Sequence, residues 1–451
     1  MMQEKDYIAF QQEYEFVDNI GSGGFAEIWK VRHKLTGMIR AAKVVKLNTD
    51  SEYRVFRNEV DVLKKLDSPY NVRIVDSYYS RGESAFGNRG NQRRGVIVYH
   101  YIKGIDLLDT INQRISTKQK FTNEEIVTIT KQILKSVCYV HNSGFFHRDI
   151  KPENFIVELD DSPCGFNLKL IDFGLSRSSN VAAYPNERTS GTWFYSAPEA
   201  ATNAYTDKSD VWSVGVIITM LASQGAALIG RSTSMGMAGV KRIRDPEFIH
   251  SEIEKLSKRG ISPNMIDLLK KMLDPDARFR ISPSNALNDV ALSPTSTNED
   301  IEIGGMTRWQ KARSTYDLLP LFARNMRRLF VHHVDDCELS RLRYLFRILD
   351  KQAKGYVTIP GTSDEERFGY EEFLSVGLET EDMLARWNDI FTYVSGGNDV
   401  VTVQSLHRIF PGLDQSVVQE MIQSCRPGDV WNPDLVLSFG DFERCMNTEV
   451  T

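Results

Sequence analysis

The chain reads as an α+β protein in two unequal parts followed by a third, helical one. Residues 14 to 101 hold β-rich runs with one helical stretch among them. From residue 122 to about 288 apolar positions recur at helical spacing. A Ser/Pro/Thr/Asn-rich stretch, SPTSTNEDIEIGG (293–305), then marks a linker before a second largely helical region.

In order, FVDNI, AEIWKVRH and IRAAKVVKL are β-rich runs separated by Gly-containing turns. VFRNEVDVLKKL (55–66) places Val55, Val60, Leu63 and Leu66 at near-helical spacing. RGESAFGNRGNQRRG (81–95) is polar and Gly/Arg-rich, an exposed hairpin loop. TNEEIVTITKQILKSVCYV opens with a capping box, Thr122 and Glu125, and buries Ile126, Ile129, Ile133, Val137 and Val140 on one face. VWSVGVIITMLASQGAALIG (211–230) has no charge and could span a bilayer. Its glycines, serines and Gln224 favour a helix buried on all sides, so no membrane span is expected.

At 451 residues there is room for two to three domains. The composition, 41% hydrophobic and 25% charged, is that of a globular protein. A net charge of −5 argues against a nucleic-acid partner. Cys138, Cys164, Cys337, Cys425 and Cys445 are scattered without CxxC spacing, which suggests neither a disulfide framework nor a zinc site and fits a reducing, cytoplasmic setting. MMQEKDYIAF lacks the basic start and apolar run of a signal peptide, and position 2 is not the glycine that myristoylation needs.

The chemistry lies in an ordered set of motifs. In HRDIKPEN (147–154), Asp149 can accept a hydroxyl proton, Lys151 can reach a transferring phosphate and Asn154 can hold magnesium. DFG (172–174) supplies Asp172 as a second metal ligand. Lys43 ends a β-rich run, and Glu59, on the next helix, can hold it onto phosphates. IGSGGFAEI (20–28) leaves backbone amides free to approach phosphate at Gly21, Gly23 and Gly24. Ala26 replaces a third loop glycine. SAPE (196–199) and DKSDVWSVG (207–215) follow in order.

Over residues 14–290 this set resembles a eukaryotic protein kinase of the serine/threonine type. The resemblance implies a bilobal fold, a β-rich lobe on a helical lobe, with ATP in the cleft. It implies that Ile20, Gly21, Ser22, Gly23, Gly24, Phe25, Ala26 and Ile28 cover and wall the nucleotide. Lys43 lies on the phosphates, and Tyr99, His100 and Tyr101 line the hinge, with Tyr99 limiting the depth of the pocket. Lys43, Glu59, Asp149 and Lys151 are the catalytic set, and Asn154 and Asp172 hold magnesium. Protein substrates are implied, with an arginine before the acceptor read by Asp106 and Glu153. Glu187, or phosphorylation of Thr189 or Ser190, can supply the anion that Arg148 pairs with. Arg278 and Arg280 are both available to pair with Glu199, and spacing does not choose.

MTRWQKARSTYDLL (306–319) and PLFARNMRRLFVHHV (320–334) are basic and amphipathic, suited to an acidic groove or to packing on their own domain. Residues 342–359, 387–403 and 421–446 carry skeletons of helix–loop–helix hands. This order resembles the calcium-dependent protein kinases of plants and protists. It implies 291–305 as linker, 306–334 as junction helices, and 335–451 as a degenerate EF-hand-like domain docked on or regulating the kinase. The ligands are depleted. Counting twelve residues from Asp350 puts Gly355 at position 6, Lys354 inside the loop and Gly361 at position 12, where a carboxylate is needed. Asn432, Asp434, Ser438 and Asp441 make the third loop the best remaining candidate, and calcium is left open. The alternative is a pseudokinase scaffold, against which intact Lys43, Asp149, Asn154 and Asp172 argue.

Overall fold

A computed structural model describes residues 5–22, 26–80, 93–158, 166–179, 193–200, 204–225, 242–293, 299–334, 339–358, 366–378, 383, 386–410, 412–426 and 435–447. A helix, α1 (Tyr7–Glu13), leads into an antiparallel sheet of order β1-β2-β3-β5-β4. Its strands are β1 (Tyr14–Ser22), β2 (Ala26–His33), β3 (Ile39–Lys46), β4 (Ile74–Tyr79) and β5 (Arg94–His100). Between β3 and β4 runs α2 (Asp50–Leu63), started by the capping box of Thr49 and Glu52. It buries Phe56, Glu59, Val60, Val62 and Leu63, whereas Val55 lies exposed, one step off the expected face.

The second lobe is built on α3 (Leu107–Ser116), α4 (Asn123–Asn142) and α5 (Asp207–Ala222). The Thr122–Glu125 capping box starts α4, and its five predicted apolar residues are all buried. From Ser209 to Ala222 every residue of α5 is buried, which explains an uncharged run without a membrane. No described helix is long and apolar enough to cross a membrane. The antiparallel pair β6 (Phe155–Glu158) and β7 (Leu168–Leu170) lies between the segment of Asn154 and that of Asp172. The lobe is completed by α6 (Pro246–Ser257), α7 (Pro263–Met272) and α8 (Pro283–Leu287).

The C-terminal region has its own apolar core. The stretch read as linker to residue 305 is helical from Glu299, as the start of α9 (Glu299–Tyr316), because Trp309 anchors that helix by stacking on Phe373 and donating to its carbonyl. Next, α10 (Leu321–His333) buries Phe322, Met326, Leu329 and Phe330 within this same core. The amphipathic junction helix therefore packs on its own domain. Three helix–loop–helix units follow: α11 (Ser340–Leu349) with α12 (Tyr370–Gly377), α13 (Trp387–Ser395) with α14 (Val403–Ile409), and α15 (Gln415–Ser424) with α16 (Phe439–Met446). The last two share a short strand pair, Val400–Val401 with Leu437–Ser438. The first instead closes on itself, Val357 facing Phe368, and its exit helix begins only at Tyr370. The twelve-residue count from Asp350 thus stops short of the real loop end, and Gly361 lies outside the described residues.

Candidate active site

The small lobe sets the nucleotide side of the cleft. Register pairs Lys43 with Ile97 and Ala41 with Tyr99, so these four side chains share one face of the sheet. Lys43 Nζ donates to Glu59 Oε1 and Oε2 at 2.8 and 2.9 Å and to Asp172 Oδ1 at 2.8 Å. Burial works against the ammonium, but Glu59 and Asp172 outweigh it and hold Lys43 above its ordinary pKa. Burial likewise pushes the Asp172 carboxyl up, yet Lys43 and the Gly174 amide hold it at about 2. Tyr99 donates its hydroxyl to Glu59 Oε1 at 3.1 Å.

Below the cleft, Lys151 Nζ donates to Asp149 Oδ2 at 2.7 Å. Asn154 Nδ2 donates to the Asp149 carbonyl at 2.7 Å and to its Oδ2 at 3.2 Å. Asp149, Lys151 and Asn154 therefore form one cluster, and the β6–β7 pairing, with the Ile171 amide donating to the Asn154 carbonyl at 2.8 Å, brings Asp172 beside it. Two backbones here are strained. Arg148 sits at φ 71° and Asp172 at φ 61°, left-handed positions that cost about 1–3 kcal/mol each and concentrate at functional sites. Asp210 supports the first by accepting from the Arg148 and His147 amides, each at 3.0 Å. Phe173 is buried against the His147 ring.

The donor set suits a hard cation. Among the described residues the Asn154 amide oxygen and the second Asp172 carboxylate oxygen have no protein partner, and oxygen is what magnesium takes.

Gly21, Ser22, Ala26 and Ile28 lie on β1 and β2, with Ile20 exposed at the rim. Gly23, Gly24 and Phe25 lie outside the described residues, as do Glu187, Arg188, Thr189 and Ser190. Tyr101 packs beneath the Lys30 ammonium. The His100 ring turns from the cleft to the α10 side, 6.3 Å from the His332 ring. Strand alternation demands this once Tyr99 faces inward. Arg280 is the partner of Glu199, bidentate at 2.7 and 3.0 Å and fully buried, while Arg278 stays exposed on Asp276.

Contacts that sequence reasoning missed run behind the cleft. Arg343 of α11 meets Glu158 at 2.7 Å, and Arg347 donates to the carbonyls of Pro69 and Leu168. Lys135 of α4 donates to the Arg347 and Asp350 carbonyls at 2.6 and 3.1 Å, capping the end of α11. Gly355 has φ +79°, and a Cβ there would lie 2.2 Å from the Tyr139 ring. Arg40 and Arg73 cap the carbonyls of His333 and Val331 at the end of α10. Asp67 accepts from the Glu371 amide at 2.9 Å.

The fold is bilobal, with a buried lysine–glutamate pair facing a carboxylate–lysine–asparagine cluster across the cleft. Comparison with known families matches the protein kinase domain over residues 14–291. The chain belongs to that family. It is 26% identical over 339 residues to calcium-dependent protein kinase 3 of Plasmodium yoelii yoelii, covering 75% of this chain and 59% of that protein. It is 27% identical over 370 residues to calcium-dependent protein kinase 32 of Arabidopsis thaliana, covering 80% and 62%. With calcium-dependent protein kinase 4 of Plasmodium falciparum it shares 27% over 398 residues, covering 85% and 69%. The chain spans about three-fifths of the length of the first two.

Proposed function

We propose that the chain transfers the γ-phosphate of ATP to serine or threonine of protein substrates. The observation that carries this is Lys43 held jointly by Glu59 and Asp172, opposite a clustered Asp149, Lys151 and Asn154. Lys43 would hold the α and β phosphates, and Asp149 would orient the acceptor hydroxyl and take its proton. Lys151, on Asp149, would reach the transferring phosphate. Asn154 and Asp172 would hold magnesium, which neutralises phosphate charge when bound. Radiolabelled transfer to a protein substrate, abolished in Asp149→Asn, tests this. No transfer under any condition would favour the scaffold reading.

The C-terminal domain, in this proposal, is a fixed docking body that works without calcium. Protein groups already engage the carboxylates that these hands retain. Asp441, the position-12 carboxylate of the third hand, accepts from Arg426, Arg444 and both the amide and hydroxyl of Ser438. In the first hand, Asp350 accepts the Lys354 and Gly355 amides, and Lys135 caps its carbonyl. Among the described residues no three His, Cys, Asp or Glu side chains cluster as a metal site. Asn432 and Asp434 lie outside the described residues. Equal transfer rates in chelator and in calcium are expected.

Preference for an arginine before the acceptor rests on Glu153. Its Oε2 is buried without a partner among the described residues, and burial raises its pKa. Asp106 lies near enough to perturb it, though Asp106 also caps α3. A peptide library read with Glu153→Gln tests this; an unchanged preference would remove it. A cytoplasmic location completes the reading, and cell fractionation that finds the chain in membranes would oppose it.

A further inference from the structure

We propose that Tyr99 is a positioning residue for phosphate binding, its hydroxyl holding Glu59 and, through Glu59, Lys43. The inference rests on the nucleotide site proposed above and goes beyond the steric limit that an aromatic ring places on the pocket. Tyr99 is 7% exposed and stands opposite Ala41 in the β3–β5 register. Alanine there leaves the ring room to reach across to α2. Its hydroxyl comes within 3.1 Å of Glu59 Oε1, the same oxygen that accepts from Lys43 at 2.8 Å. Glu59 Oε2 accepts from Lys43 at 2.9 Å.

Three elements therefore meet on one carboxylate: β3 through Lys43, β5 through Tyr99, and α2 through Glu59 itself. A glutamate held only by a flexible lysine can rotate about its terminal torsion, whereas a second donor on a rigid ring fixes the carboxylate plane. The phenol has no other hydrogen-bonding partner among the described residues, and a buried hydroxyl left unpaired is costly. An apolar side chain of equal bulk would fill the space without restraining Glu59. Lys43 can then approach phosphates from a preset position instead of being ordered by them.

The test is calorimetric titration of the full chain with magnesium–ADP and, separately, with adenosine, which lacks the phosphates Lys43 would hold. In Tyr99→Phe the affinity for ADP should fall roughly 3- to 10-fold relative to that for adenosine, the worth of a hydrogen bond to a charged group diluted by acting at second hand. In a Glu59→Ala background, which leaves the hydroxyl no acceptor at that position, the same substitution should add nothing further. An unchanged ratio, an equal loss for both ligands, or full additivity in the double variant would overturn the proposal. No phosphotransfer is required, so a chain that binds ADP but transfers nothing contradicts the kinase reading and leaves this one standing. A wild-type chain that binds no ADP overturns both.

Discussion

Arg343 and Glu158 meet at 2.7 Å with side chains 2% and 6% exposed, joining the first hand to the strand that follows Asn154. Neither group can turn to solvent. Removing one partner of a buried pair strands the other charge, at about 3–5 kcal/mol. Arg343→Met should therefore lower the urea midpoint strongly, and Arg343→Met with Glu158→Gln should recover much of the loss. A surface-like effect below about 1 kcal/mol would deny the pair its role.

Glu158 also sets a pH dependence. Burial raises its carboxyl, but Arg343 and Lys169 outweigh burial and hold it at about 2, against an ordinary 4.5. The unfolded chain then binds the proton first as pH falls. This stability is fully present above about pH 4.5 and is lost towards pH 2, on the order of 3 kcal/mol. Urea midpoints between pH 5 and 3 should fall less steeply in Glu158→Gln.

Lys135 caps two carbonyls at the end of α11; its loss removes the donor to the Arg347 carbonyl, while the Asp350 carbonyl keeps the Ala353 amide and the Tyr70 hydroxyl. Lys135→Met should weaken docking of the first hand by about 1–3 kcal/mol. Hydrogen exchange should quicken in 340–358 while α15 and α16 stay protected. Uniform exchange throughout would contradict a localised dock.

Asp441 is predicted to act as a structural group. It completes the Ser438 capping box that starts α16 and anchors Arg426. Asp441→Ala should cost about 1–2 kcal/mol of stability, with no micromolar calcium heat in either protein. A micromolar site in wild type that disappears in the variant would show that the carboxylate still serves a metal.

The kinase half was legible because phosphoryl transfer demands particular groups at particular spacings. Lys43, Glu59, Asp149, Asn154 and Asp172 could be found without knowing the fold, and the structure brings them together. Strand alternation also sets the His100 ring: as neighbour of an inward-facing Tyr99 it faces outward. The choice of Arg280 over Arg278 needed burial, which spacing does not contain. The loop after Asp350 escaped because a fixed twelve-residue count assumes metal geometry, and this loop closes with a hairpin. Nor could sequence show Lys135 meeting Asp350, since 215 residues separate them and no local pattern records the contact.

In the function proposed above, the kinase domain transfers phosphate independently of calcium while its EF-hand-like domain stays docked. The most direct measurement of this is the initial rate of radiolabel transfer by the full chain, in chelator and in excess calcium. Equal, nonzero rates that Asp149→Asn abolishes are predicted. Transfer that appears only with calcium, or none in either condition, would overturn that proposal.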